Sequence, residues 1–225
     1  WRRLQLANFW GSGWGTPRIP SVPQRLGVFG GTFDPPHRGH LAVAQAAQRT
    51  FALDRVLLVV ANDPWKKSPD RAITPAADRL AMVQALARDQ AGLEVSDREI
   101  RRGGPSYTVV TLRELAATHP GSELFLIIGR DLVDDFSSWH ESVEIGRLAT
   151  IVVVDRSGYM TDPQRDWKML IIEPVDVSST ELRDQLQHTS PANSKVLSHM
   201  TPEVLQVIRS RGLYGTNAEE VVPTS

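Results

Sequence analysis

From Arg25 onward, short and continuously apolar runs alternate with longer segments rich in Ala, Leu and Gln. Residues 26–30, 55–61 (RVLLVVA), 93–96, 123–128 (ELFLII), 150–154 (TIVVV) and 169–172 (MLII) read as strands. Their unbroken, β-branched character is that of strands buried on both faces of a parallel sheet, since a half-exposed strand would alternate. Residues 39–51, 75–88, 108–118, 179–186 and 202–211 read as helices, the second with Thr74 as N-cap and proline in its first turn. Strand alternating with helix predicts an α/β fold: a doubly wound parallel sheet with right-handed crossovers and a small C-terminal helical part. In such sheets ligands bind beyond the carboxyl ends of the strands, so the loops there carry the functional reading.

The two ends differ from this pattern. Residues 1–24 hold Trp1, Trp10 and Trp14, with Arg2, Arg3 and Arg18 and no acid, a formal charge of +3. They lack the compact apolar core of a secretory signal and are expected to form a flexible leader. Residues 216–225 are expected to be a loose tail, which leaves one domain over 25–215. The whole chain of 225 residues is 41% hydrophobic and 23% charged, with a net charge of −1. That balance suits a globular core and gives no basic field for nucleic acid. No apolar run is long enough to span a bilayer. Without cysteine there is no disulfide, thiolate zinc site or cysteine nucleophile, in keeping with a cytoplasmic protein. Nothing in the sequence decides the oligomeric state.

The most informative loop is GGTFDPPHRGH, Gly30 to His40. Gly30 and Gly31 directly after a strand allow close approach of backbone to a ligand. His37 and His40 flank a helix start, where free N–H groups and the helix dipole favour an anion. Gly39 between them is expected to leave room for a phosphoryl oxygen. An H-x-x-H pair also arises in plain helix caps and zinc sites, although no third ligand with suitable spacing stands out. Neither G-x-G-x-x-G nor a G-x-x-x-x-G-K-[ST] phosphate loop occurs. Ser178 to Arg183 (SSTELR) offers a second anion site, and S-x-x-E is equally a capping box.

The string GTFDPPHRGH resembles the G-T-F-D-x-x-H-x-G-H motif of the nucleotidyltransferase superfamily. GGPSYT (103–108), ELFLIIGRD (123–131), SSW (137–139), VSSTELR (177–183) and RGLYG (211–215) follow in an order similar to that of bacterial nicotinate-nucleotide adenylyltransferases. The resemblance spans 25–215 and implies a Rossmann-like fold that transfers AMP from ATP to nicotinate mononucleotide, giving nicotinate adenine dinucleotide and pyrophosphate. It implies catalytic roles for His37 and His40, with imidazoles that donate from both nitrogens when protonated. It implies ATP binding by Gly30, Gly31, Thr32, Phe33, His37, His40, Gly129, Asp131, Ser178, Ser179, Thr180 and Arg183. Asp131 is expected to accept a ribose hydroxyl, with an N-terminal cap as the alternative.

By the same resemblance, the nicotinate nucleotide is expected at Tyr107, Thr108, Trp139 and His140, with Lys66 or Lys67 near its phosphate. Mg²⁺ is expected to be held by ATP oxygens and water rather than by protein ligands. Arg79 reads as a structural ion-pair residue. Two departures from the family pattern stand out: Val110 occupies a position where many relatives carry an acid, and the Trp65-containing loop differs from the commoner form. The alternatives are another phosphate acceptor, such as nicotinamide mononucleotide or phosphopantetheine, and a non-catalytic nucleotide sensor of the same fold.

Overall fold

The computed structural model describes residues 23–64, 72–155, 166–173, 177–188 and 196–216. The tryptophans of the leader, the Trp65–Lys67 loop and the C-terminal tail lie outside them. Strands β1 (Arg25–Gly31), β2 (Arg55–Val60), β3 (Leu93–Ser96), β4 (Glu123–Gly129), β5 (Thr150–Asp155) and β6 (Lys168–Ile171) form one sheet. The strand order is β3-β2-β1-β4-β5-β6, and every neighbouring pair is parallel. The chain thus winds outward from β1 in both directions, and the order reverses between β1 and β4. Crossover helices on both faces explain the unbroken apolar runs: Val56 to Val60 and Leu124 to Ile128 are all buried.

Helices α1 (Arg38–Thr50), α2 (Ala76–Ala87), α3 (Arg98–Arg102), α4 (Thr108–Thr118), α5 (Ser142–Leu148), α6 (Ser179–His188), α7 (Val196–His199) and α8 (Pro202–Ser210) complete the fold. One core lies between the sheet and α4 and α5, with Leu112, Leu115 and Ile145 against Leu26, Val28 and Leu126. A second lies on the other face, with Val43, Ala44 and Ala47 of α1 against Leu58 and Ile127. A third joins Met82 and Leu86 of α2 to Leu182, Leu186, Val204 and Ile208, which seats the C-terminal helices on the domain. Among the described residues no helix is long and apolar enough to cross a membrane.

The fold departs from the sequence pattern in three places. Thr74 does not cap α2: Pro75 is the N-cap, without a side-chain cap bond, and the Thr74 carbonyl serves Arg79 instead. Helices α3, α5 and α7 have no counterpart in the pattern, being too short to show an apolar stripe. The last strand runs over Lys168–Ile171, one residue earlier than its apolar run suggests.

Candidate functional site

Where β1 and β4 part, their carboxyl ends open into a cleft of about 320 Å³. Gly30, Gly31 and Thr32 line it from β1, Ala61 and Pro64 from beyond β2, and Gly129, Asp131 and Leu132 from beyond β4. Ser106, Thr108, Thr111, Glu99 and Trp139 complete the far wall. A Cβ built on Gly30 meets nothing within 4 Å, so the missing side chain leaves backbone bare toward the cleft. At Gly31 a Cβ would stand 2.9 Å from the Phe33 ring, which is buried against it.

The loop then runs into α1 through His37, the N-cap, only 3% exposed. Its Nδ1 accepts from the Gly39 N–H at 3.1 Å, and the His37 N–H donates to His40 Nδ1 at 3.2 Å. The two histidines therefore form a reciprocal capping box, normally the work of Ser or Thr with Glu. A proton on either Nδ1 would break the cap, so the compatible tautomer carries its proton on Nε2. The ring centroids lie 3.9 Å apart, where two imidazolium charges would repel.

Three amides at the start of the helix, those of His37, Gly39 and His40, are taken, so fewer N–H groups than expected face an anion, while the helix dipole still favours one. Gly39 does not leave room for a phosphoryl oxygen. A Cβ there would stand 2.9 Å from His37 Cε1 and Nδ1, so the glycine accommodates the imidazole itself.

The second anion motif docks on the same loop. Ser178 and Glu181 form the capping box of α6: the Ser178 N–H donates to Glu181 Oε2 at 3.0 Å, and the Glu181 N–H to Ser178 Oγ at 3.2 Å. Ser179 Oγ donates to the Pro35 carbonyl at 2.9 Å. Arg183 donates to the Asp34 carbonyl at 2.5 Å and to Thr180 Oγ1 at 2.9 Å. The capping-box reading of SSTELR holds: the cap sets the helix start, and the next turn places the Arg183 charge beside the loop leaving β1.

Asp131 lies in a single 3-10 turn (Arg130–Leu132) after β4. It is exposed, lines the cleft and is not an N-cap; that place belongs to Gly129, whose missing Cβ would collide with Asp131 Oδ1 at 2.3 Å. Thr108 and Trp139 line the opposite end, and Trp139 also packs on Phe136 at 5.3 Å between centroids. Tyr107 and His140 do not line the cleft. Their rings stack on each other, with centroids 4.5 Å apart. Val110 is half-buried and packs against the core beneath α4. Lys66 and Lys67 lie outside the described residues.

Several residues that build this site were given another role by sequence reasoning, or none. Arg79, 1% exposed, donates to the carbonyls of Thr32 and Thr74, each at 2.8 Å, and of Asn62 at 3.2 Å. It pairs with backbone oxygens, not with a carboxylate as expected, and so ties three loops together. Burial pushes its pKa down, while the charge of Asp34 opposes that shift. The buried Asp34 accepts from the Tyr214 hydroxyl at 2.7 Å, which brings RGLYG back onto the loop leaving β1. Ser106 Oγ accepts from the N–H groups of Asn62, at 2.9 Å, and Asp63, at 3.3 Å, fastening GGPSYT to the loop after β2. Among the described residues no cluster of three His, Cys, Asp or Glu is placed to hold a metal.

Comparison with known proteins agrees with this architecture. The family model described as cytidylyltransferase-like matches residues 28–185. A protein of Shouchella clausii named "Probable nicotinate-nucleotide adenylyltransferase" is 39% identical over 197 residues, 87% of this chain and all of that protein. A Thermus thermophilus protein of the same name is 39% identical over 192 residues, 84% of this chain and 99% of that one. The solved nicotinic acid mononucleotide adenylyltransferase of Plasmodium falciparum, complexed with NaAD, superposes with a TM-score of 0.69 at 19% identity, over 87% of this chain and all of that one.

Proposed function

This chain belongs to the cytidylyltransferase-like family, within the nicotinate-nucleotide adenylyltransferases, and from that premise we propose how its cleft joins the AMP part of ATP to nicotinate mononucleotide. An oxygen of the acceptor phosphate attacks the α-phosphorus of ATP in line. The new P–O bond forms as the bond to the β-phosphate bridging oxygen breaks, and the electron pair leaves with pyrophosphate. The attacking phosphate is already anionic, so the protein supplies position and charge rather than a base.

The observation that carries this reading is the convergence of the His37–His40 pair and Arg183 on the loop leaving β1, at the point where strand order reverses. The imidazole pair stabilises phosphoryl oxygens, and Arg183 adds permanent charge for the leaving group. Gly30 and Gly31 let the nucleotide lie against β1, and Asp131 accepts a hydroxyl of the ATP ribose. Trp139 and Thr108 take the pyridine ring, whose carboxylate meets backbone amides at the start of α4. Lys66 or Lys67 meets the acceptor's phosphate.

The donor set fits a Mg²⁺ ion carried by the triphosphate and water, since among the described residues the cleft offers Asp131 and Glu99 as separate carboxylates and no cluster. When bound, the ion neutralises charge on the phosphates. We place the reaction in the cytoplasm, in keeping with a chain that has no cysteine. The test is pyrophosphate release with ATP and Mg²⁺, comparing nicotinate with nicotinamide mononucleotide. Preference for nicotinate by at least about tenfold in kcat/KM, roughly 1.4 kcal/mol, is expected. Equal use of both, or release with neither, contradicts the acceptor assignment.

A further inference from the structure

We infer that Glu99 binds the acceptor nucleotide by accepting a hydrogen bond from a hydroxyl of its ribose; the inference rests on the acceptor being the pyridine mononucleotide proposed above. Glu99 is only 7% exposed, yet it forms part of the cleft wall together with Thr108, Thr111 and Trp139. Thr108 and Thr111 stand three apart on α4 and so share the face turned to the cleft.

Thr111 Oγ1 donates to Glu99 Oε1 at 2.6 Å and accepts from Arg102 Nη2 at 3.2 Å. Arg102 stands 4.0 Å from that same Oε1 and 3.0 Å from Glu114. Every one of these contacts to Glu99 falls on Oε1. Oε2 accepts no hydrogen bond among the described residues. Oε2 is not among the buried oxygens left without a partner, so it is reached from the cleft that Glu99 lines, where a ligand hydroxyl can take the place of water. The adjacent Val110 packs into the core and offers the cleft no acid of its own.

The chemistry of the acceptor narrows what that partner is. Nicotinate mononucleotide carries a phosphate and a ring carboxylate, both anions, and a ring nitrogen bonded to the sugar, which is positively charged but bears no proton to donate. Its hydrogen-bond donors are the two ribose hydroxyls alone. A second carboxylate beside either anion would repel it. Arg102 tempers the charge on Glu99 at a distance but cannot turn it into a donor. Glu99 is therefore matched to the sugar, with Thr111 and Arg102 fixing the direction of its Oε2.

The test measures pyrophosphate release by the wild type and Glu99→Gln at saturating ATP, using nicotinate mononucleotide and its 2′-deoxy and 3′-deoxy forms. The wild type is expected to lose roughly ten- to a hundredfold in kcat/KM on one deoxy acceptor, the scale of a hydrogen bond to a charged group. Glu99→Gln keeps an oxygen for Thr111. It is expected to lose a similar factor on the natural acceptor, to respond to that deoxy form by less than about threefold, and to keep its KM for ATP.

A wild type indifferent to both deoxy acceptors overturns the inference, whether or not the variant folds. Losses from substitution and deoxygenation that simply multiply overturn it as well. If the wild type instead uses nicotinamide mononucleotide, the acceptor assignment fails separately, and the deoxy forms of that nucleotide decide the role of Glu99 by the same two criteria. If neither is turned over, calorimetric dissociation constants of the same nucleotides replace kcat/KM in the comparison.

Discussion

Arg79→Met removes one of the most deeply buried charges in the protein and isolates what its guanidinium does. Methionine keeps much of the apolar stem and a comparable helix propensity, so the principal loss is the three donors to Thr32, Thr74 and Asn62. Hydrogen bonds from a charged donor contribute roughly 1.5–3 kcal/mol each, about 5–9 kcal/mol gross for the three. Against this stands the cost of burying the cation, several kcal/mol. The downward push on its pKa by burial, only partly opposed by Asp34, is the same cost seen from the proton's side. The cleft also admits water to some of the abandoned carbonyls. The net loss expected is about 3–5 kcal/mol, the range for leaving buried polar groups without their charged partner. Urea unfolding measures it as a lower midpoint at unchanged slope. In the folded fraction, kcat/KM should fall for both substrates, because the loops after β1 and β2 carry both sides of the cleft. A loss under about 1 kcal/mol with unaltered kinetics would refute the claim that Arg79 holds these loops together.

Tyr214→Phe deletes the hydroxyl given to Asp34 and should cost about 1–2 kcal/mol near neutral pH. Burial above all, together with Asp34, raises the Tyr214 pKa beyond the ordinary phenol range, although the hydrogen bond with Thr74 pulls the other way. The unfolded chain releases this proton near pH 10 and the folded chain retains it, so wild-type stability should fall as pH rises above about 10. Urea midpoints from about pH 9 to about pH 11 should show that slope reduced by about one proton in the variant; equal slopes would contradict the assignment. Gly30→Ala should fold with stability within about 0.5 kcal/mol of wild type, since its Cβ meets no neighbour, yet raise the KM for ATP by projecting into the cleft. Gly39→Ala should do the reverse: a methyl 2.9 Å from the His37 ring displaces the cap, lowering stability by about 1 kcal/mol and reducing kcat.

The sheet was readable because strands buried on both faces announce themselves as apolar runs, as in RVLLVV and ELFLII. The loop leaving β1 marks the family because its glycines and histidines form a long, specific string. Charged residues turned inward are harder to see. Arg79 sits in a helix segment, AADRLAMV, where an arginine ordinarily faces water, and only the folded chain shows three carbonyls converging on it. Glu99 belongs to REIRR, a five-residue helix in a polar stretch, with nothing in its neighbours to mark it as buried. Tyr214 was visible within RGLYG, but its partner Asp34 lies 180 positions earlier and no local pattern connects them. Thr74-Pro75 misled for the opposite reason: a good capping dipeptide was drawn into a tertiary contact through its carbonyl. The S-x-x-E of Ser178 to Glu181 is a capping box in the fold as in the sequence, and what no local pattern gave is that its helix start docks on the loop leaving β1.

The most direct test of the central claim is a single-turnover experiment with ATP labelled at its α-phosphate, nicotinate mononucleotide and Mg²⁺, comparing the wild type with His40→Ala. The label should appear in nicotinate adenine dinucleotide with the wild type. With the variant it should appear roughly a hundred to a thousand times more slowly, as when one preorganised donor to the transferring phosphoryl group is removed. Label in free AMP, or equal rates with and without His40, would contradict adenylyl transfer at this loop.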